Sequence, residues 1–249
     1  MRGSRLNWEW RRLQLENREQ PLMRCVQART IYADGREERK NEMVLCEHVL
    51  DLIIDGKSLS SIICTRKELR QMIVGRLLTQ RLIGGVDDIE ELSLTEDETK
   101  AEVRLRARKE PRALYRIEHV PAWRSEWVFA LVRHFQTGMM LHNETFSTHS
   151  AFLMRKGEIL YGSEDISRHN AVDKVIGHAL TDGVPLSTCI LFTSGRVPKD
   201  MAEKTVAAGI PMLVSKAAAT ADAIRVAREY GLALICHARE NGFVIKDEI

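Results

Sequence analysis

Two hydrophobic periods run along the chain, and the point where they begin to alternate regularly divides it. CVQARTIY (25–32) alternates like a strand, Ala33 to Gly35 signal a turn, NEMVLCEHVLDLIIDG (41–56) offers two further short strands and SLSSIICT (58–65) another. The helical period first shows in RKELRQMIVGRLLTQRLI (66–83), where Leu69, Met72, Ile73, Leu77 and Leu78 share a face and Thr65 is placed to cap the helix. IEELSLTEDETKAEVRLRAR (89–108) predicts a hairpin turning near Glu96 to Glu98. Residues 23–120 thus read as a strand-rich subdomain with one buried helix. They follow a polar extension, residues 1–22, rich in Arg and Glu and carrying Trp8 and Trp10.

From Pro121 the pattern changes. SEWVFALVRHFQTG (125–138) predicts a helix, a polar loop follows, and HSAFLMRKGEILYGSE (149–164) predicts a hairpin turning at Lys156 and Gly157. Then helices and strands alternate: NAVDKVIGHALTDG, STCILFTSG, PKDMAEKTVAAG, IPMLVSK, TADAIRVAREYG and LALICHA, with ENGFVIKD finishing the chain. Two successive β-α-β units, with Gly209 and Gly231 closing their helices, require parallel strands joined by right-handed crossovers. The expectation is an α/β fold (α+β overall), with an α/β domain over residues 121–249.

Composition narrows the partners. The 249 residues are 44% hydrophobic and 29% charged with a net charge of +2, which fits a globular protein and gives nucleic-acid binding no support. No apolar run reaches the ~18–20 residues of a membrane span. The N-terminus lacks the apolar core and cleavage site of a secretory signal, so a cytoplasmic location is expected. Cys25, Cys46, Cys64, Cys189 and Cys236 are odd in number, widely spaced and free of any C-x-x-C, which argues against a zinc ribbon, a redox pair or a disulfide framework.

Candidate chemistry gathers where parallel strands end, because ligands of open α/β sheets sit beyond their carboxyl ends. CILFTSGRVPKD places Ser194, Gly195, Arg196 and Lys199 at one such end, PMLVSKAAAT places Ser215, Lys216 and Thr220 at the next, and LALICHAREN ends on His237 and Arg239. SEDISRHNAVDKVIG (163–177) adds a fourth element. Asp165 or Ser167 can cap its helix, and Arg168 and His169 then lie at the positive end, an unfavourable place for cations unless an anion visits. A structural His169–Asp173 pair on one helical face is the plainer alternative, with Ala171, Val172, Val175 and Ile176 packing inside. The phosphate loop and the dinucleotide fingerprint are absent. A triad of Ser194, His149 and Asp173 lacks the G-x-S-x-G setting, and His142, His149 and His169 have no closed metal-site spacing.

These segments resemble the formate dehydrogenase accessory protein family, FdhD. EDISRHNAVDKVIG is similar to the family's D-x-G-R-H-N-A-x-D-K, and LFTSGR (191–196), AAGIPMLVSKAAATADAIRVAREYGLALI (207–235) and THSA (148–151) continue the likeness. CEHVLDLIIDG and CTRKELRQMIVGRLLTQRLI resemble the family's E-x-P…N-G strand pair and T-P-x-D-L helix, so the similarity runs from about residue 25 to the end. It implies a C-terminal three-layer domain like cytidine deaminase without zinc, and a homodimer. It also implies sulfur transfer from a cysteine desulfurase to the molybdenum cofactor of formate dehydrogenase or a related molybdoenzyme. The ligand implied is bis-molybdopterin guanine dinucleotide, with no structural metal. By family position the binding residues would be Thr145, Thr148, His149, Arg168, His169, Asp173, Lys174, Ser194, Gly195, Arg196 and Ser215, with the tail loop His237, Ala238, Arg239, Glu240, Asn241 and Gly242.

One part of the family pattern is missing. Relatives carry a C-G-x-C-G loop, but residues 107–127 contain no cysteine, and the family's T-G-G-x-H is TFSTH here. Cys64, beside a predicted helix N-terminus that would lower its pKa, is the substitute the sequence offers. Two readings stay open: the family's sulfurtransferase, or a non-catalytic molybdopterin or guanine-nucleotide chaperone that has lost the sulfur-carrying cysteines. Deaminase-type chemistry lacks its zinc-binding C-x-x-C.

Overall fold

The computed structural model describes residues 21–106 and 111–246. Residues 1–20, and with them nearly all of the expected polar extension, lie outside the described residues, as do 107–110 and 247–249. The first sheet is an exposed hairpin of β1 (Met23–Ile31) and β2 (Glu37–Leu45). The second holds β3 (His48–Ile54), β4 (Lys57–Cys64), β5 (Ile89–Leu94) and β6 (Lys100–Leu105) in the order β4-β3-β6-β5, with β3 and β6 parallel. The third holds β7 (His149–Arg155), β8 (Glu158–Asp165), β9 (Cys189–Thr193), β10 (Met212–Ser215), β11 (Ala233–Arg239) and β12 (Gly242–Ile245) in the order β12-β11-β10-β9-β7-β8. Strands β9, β10 and β11 run parallel, as the β-α-β alternation requires. The helices are α1 (Leu69–Thr79), α2 (Ser125–Thr137), α3 (Met140–Thr145), α4 (Arg168–Thr181), α5 (Lys199–Ala207) and α6 (Ala221–Tyr230).

The six-stranded sheet is covered on both faces, and the strand period decides which residue meets which cover. Leu153, Leu191, Leu213 and Leu234 pack into one cluster with α1, α4, α5 and α6, whereas Phe152, Phe192, Val214 and Ile235 pack with Val128, Leu131 and Val132 of α2. The first cluster also takes in Leu50, Leu52, Ala101 and Val103, so the four-stranded sheet shares its core with the larger one. The β7–β8 hairpin turns where expected: Lys156 and Gly157 both have positive φ, 52° and 87°, as a two-residue mirror-image turn requires. Among the described residues no helix is long and apolar enough to cross a membrane.

Three local expectations change. The loop after Gly138 contains α3, whose Leu141 and His142 N–H groups each donate to the Glu164 carboxylate at 2.9 Å, so a buried side chain from β8 caps its N-terminus. Helix α1 starts at Leu69, and Thr65 does not cap it; Glu68, at φ 56°, is the N-cap residue. The Thr65 backbone N–H and hydroxyl both donate to Asp165 Oδ2, at 3.0 and 2.9 Å. β2 begins at Glu37, in a stretch too polar to read as a strand, because its register against β1 holds it and not burial.

Candidate functional site

The ends of β9, β10 and β11 are stitched into one rim. Ser215 Oγ donates to the Gly195 carbonyl at 2.8 Å and accepts from Ala217 N–H at 2.9 Å; Val197 N–H donates to Ala218, and His237 N–H to Ala217. Ser215 is therefore fully buried and fully engaged as a loop staple. A register shift in β11 between Cys236 and Arg239 turns exposed His237 into the left-handed region, φ 52°, while Ala238 returns to the core. Arg239 Nη1 donates to the carbonyls of Lys216 and Ala238, and Lys216 Nζ lies 4.5 Å from the centre of the Phe135 ring. Glu240 and Asn241 form the turn into β12, which begins at Gly242.

Beside this rim, β7 and α4 add a second group. Ser194 Oγ accepts the Ser150 N–H at 3.0 Å and lies 3.2 Å from His149 Nδ1. Arg168, in the first turn of α4, lays its aliphatic stem across Gly195: a Cβ at Gly195 would stand 2.6 Å from Arg168 Cδ. Only glycine leaves room for that approach. Burial, the Arg168 guanidinium and His142 together press the His149 pKa below its usual value, so its ring is neutral at neutral pH. In the tautomer protonated on Nε2, Nδ1 accepts the Ser194 hydroxyl proton. Arg196 is exposed at the same rim. The arrangement offers two guanidiniums, a hydroxyl and an imidazole, and this donor set suits an anion.

Several expected binding residues are occupied otherwise. Lys174 is fully buried and donates to Asp165 Oδ2 at 2.6 Å and to Thr65 Oγ1 at 2.7 Å. Asp173, also fully buried, accepts from Lys204 Nζ at 2.5 Å and Thr79 Oγ1 at 2.8 Å, so it forms no pair with His169 and no triad with His149 and Ser194. His169 Nε2 instead faces Asp200 Oδ2 at 3.6 Å. Thr148 Oγ1 donates to Glu164 at 3.3 Å, and Thr145 Oγ1 to the Leu141 carbonyl at 2.7 Å. Ser167 is the N-cap residue of α4, but its side chain makes no cap; Asp165 Oδ1 accepts the Ser167 N–H at 2.9 Å. His142 beside His149 gave no signal for this role in the sequence, because only the α3 turn brings it there.

The three buried thiols are not activated. Burial, then Asp165, pushes Cys64 up to about 12, the reverse of the lowering expected at a helix start, because the cysteine closes β4 in the core and not α1. Burial raises Cys236 to about 11 and raises Cys189. Cys25 is exposed and Cys46 half-buried, in and beside the β1–β2 hairpin. We expect iodoacetamide at pH 8 to modify Cys25 first in the native protein, and Cys64, Cys189 and Cys236 only after denaturation. Mass spectrometry of digested samples reads this out, and early labelling of Cys64 would contradict its burial.

Comparison with known proteins supplies the family. The model described as "FdhD/NarQ family" matches residues 45–121 and 112–246. The chain is similar to the "Sulfur carrier protein FdhD" of Listeria monocytogenes serotype 4b, 25% identical over 243 residues covering 86% of this chain and 91% of the relative. The protein of that name from Sulfolobus acidocaldarius is 28% identical over 231 residues, 84% and 91% of the two chains. That from Thermoplasma volcanium is 43% identical over 104 residues, 41% and 37%. A crystal structure from Desulfotalea psychrophila, of a protein proposed as a formate dehydrogenase accessory protein, shares the fold with a TM-score of 0.79 at 22% identity, over 92% of this chain and 98% of the other.

Proposed function

The chain belongs to the FdhD/NarQ family, and we propose that it acts there as a binding member. It holds the guanine dinucleotide form of the molybdenum cofactor at its strand ends for a formate dehydrogenase or related molybdoenzyme, and carries no sulfur on its own thiols. One observation carries the reading: the rim gathers Arg168, Ser194, His149 and Arg196, and the segment that bears cysteines in relatives has none. The donor set fits the cofactor's phosphates. Arg168 and Arg196 would fork hydrogen bonds onto them, Ser194 and His149 would orient them, and Arg239 would close the rim beside Lys216. The cofactor is cargo, and its molybdenum chemistry belongs to the recipient enzyme. A sulfur relay needs a thiolate in an accessible place, and Cys64, Cys189 and Cys236 are buried and held protonated.

The test has two arms. Incubation with a cysteine desulfurase and radiolabelled cysteine is expected to leave no persulfide on this chain, while a cysteine-loop relative becomes labelled. A persulfide lost in Cys25→Ala, Cys46→Ala or Cys64→Ala would restore the sulfur-relay reading. In calorimetry with GDP, Arg196→Ala and Arg239→Ala are each expected to weaken binding by about 1–3 kcal/mol, as lost charge-assisted bonds do. Unchanged affinity in both variants would remove the strand-end site.

A further inference from the structure

The two basic residues at the head of α4 part company. Arg168 lies across Gly195 on the strand-end side, whereas His169 turns to Asp200 and lines a cavity of about 750 Å3. That cavity is bounded by Arg76 and Arg81 at the end of α1, by Asp200, Glu203 and Lys204 along α5, and by Tyr230 at the end of α6.

The charges around it do not cancel. At its floor, fully buried Asp173 faces two cations, Lys204 at 2.5 Å and Arg76 at 4.0 Å. Arg76 Nε is inaccessible to water and has no acceptor. Half-buried Arg81 has neither a carboxylate partner nor a side-chain hydrogen bond among the described residues. The acids at the rim do not make up the difference. Glu203 is paired with Lys199 at 3.4 Å, and the Asp200 side chain is 69% exposed, so solvent screens its charge. A guanidinium without a carboxylate partner, Arg81, and a second with an unused donor, Arg76, beside a polar cavity are what an anion site presents, since partly buried charge without a partner is costly.

Arg81 closes α1 in a left-handed turn of φ 67°, with its N–H donating to the Leu78 carbonyl at 2.8 Å and the Leu82 N–H to that of Leu77 at 2.9 Å, a helix ending that glycine usually provides.

We propose that this cavity is a second anion site, which takes a phosphate-bearing small molecule on Arg76 and Arg81, separately from the strand-end rim. The planar guanidinium fork matches phosphate oxygens in pairs, and the volume lies within the range that holds small ligands. Gln80 lines the same wall and suits the polar remainder of such a ligand, while the Tyr230 hydroxyl is taken by exposed Glu229.

Inorganic pyrophosphate titrated calorimetrically into the full chain tests this. Two sites are expected in the wild type. Arg81→Gly removes the guanidinium while suiting the positive φ, so it should keep the wild-type unfolding temperature and weaken one site at least tenfold. Arg76→Gln should weaken the same site, so the decision does not hang on one variant's folding. Asp200→Asn should change that site by less than twofold, because solvent screens the Asp200 charge; a loss as large as that in Arg81→Gly would show that the rim's fold and not the guanidiniums carries the binding, and would overturn the proposal. Arg196→Ala should affect only the other site. A single site lost in Arg81→Gly but kept in Arg196→Ala leaves the cavity standing and removes the strand-end reading. A titration unchanged by both Arg81→Gly and Arg76→Gln overturns the proposal, as does a single site lost only in Arg196→Ala.

Discussion

Asp165→Ala is expected to cost the fold about 3–5 kcal/mol, the loss typical of breaking one partner from a buried ion pair. Both Asp165 and Lys174 are fully buried, 2.6 Å apart. The carboxylate also receives the Thr65 N–H and hydroxyl on Oδ2, and the Ser167 N–H and Asn170 Nδ2 on Oδ1. Removing it leaves an ammonium in the core and strands two backbone donors. One of these belongs to the N-terminal half of the chain, so the damage falls where β4 meets α4. Lys174→Met should cost less, since Asp165 would keep four donors at 2.9–3.0 Å. At about 2–4 °C per kcal/mol for a chain of this size, Asp165→Ala should lower the unfolding temperature by roughly 6–20 °C. Denaturant midpoints for the two variants decide the matter. Equal losses, or a shift of only a degree or two in Asp165→Ala, would show that the pair does not fasten the halves.

Gly177→Ala should also destabilise, against the sign that helix propensity gives. Alanine in a helix interior is favoured over glycine by about 1 kcal/mol. Here α1 and α4 cross with backbone against backbone: a Cβ on Gly177 would stand 1.9 Å from the Gln71 carbonyl oxygen, and one on Gly75 1.9 Å from that of Asp173. No rotamer relieves a clash with backbone, so the helices must separate and open the packing of Met72, Ile73, Val172 and Ile176. Overpacking of this kind costs about 1–3 kcal/mol and occasionally more. A clash this close with backbone belongs at the upper end of that range, so after the propensity gain we expect a net loss of about 1–2 kcal/mol in Gly177→Ala and in Gly75→Ala. Gly85→Ala, whose Cβ meets nothing within 4 Å, should be neutral and serves as the control. A Gly177→Ala protein as stable as the wild type would overturn the close crossing.

Much of the framework was legible because its signals are local. The apolar period of α1 named Leu69, Met72, Ile73, Leu77 and Leu78, and all five are buried; Ala171, Val172, Val175 and Ile176 of α4 are likewise buried. The Lys156–Gly157 turn and the parallel order of β9, β10 and β11 followed from turn chemistry and crossover handedness. At the strand ends, Ser194, Gly195 and Arg168 do come together, and Ser194 meets His149.

The sequence by itself thus determined most of the elements, their parallel order, the family and the absence of cysteine from residues 107–127, because each rests on neighbouring residues or on a short motif. Only the tertiary structure decided what the charges of SRHNAVDK do. From Asn170 to Gly177 the helix is buried on every side, so no period separates a ligand-facing residue from a structural one. The partners that settle it are Asp165 and Thr65 for Lys174, Thr79 and Lys204 for Asp173, Gly195 for Arg168 and Asp200 for His169. All but Asp165 lie from 27 to 109 positions away in the chain, and only folding brings their charges and hydroxyls within reach.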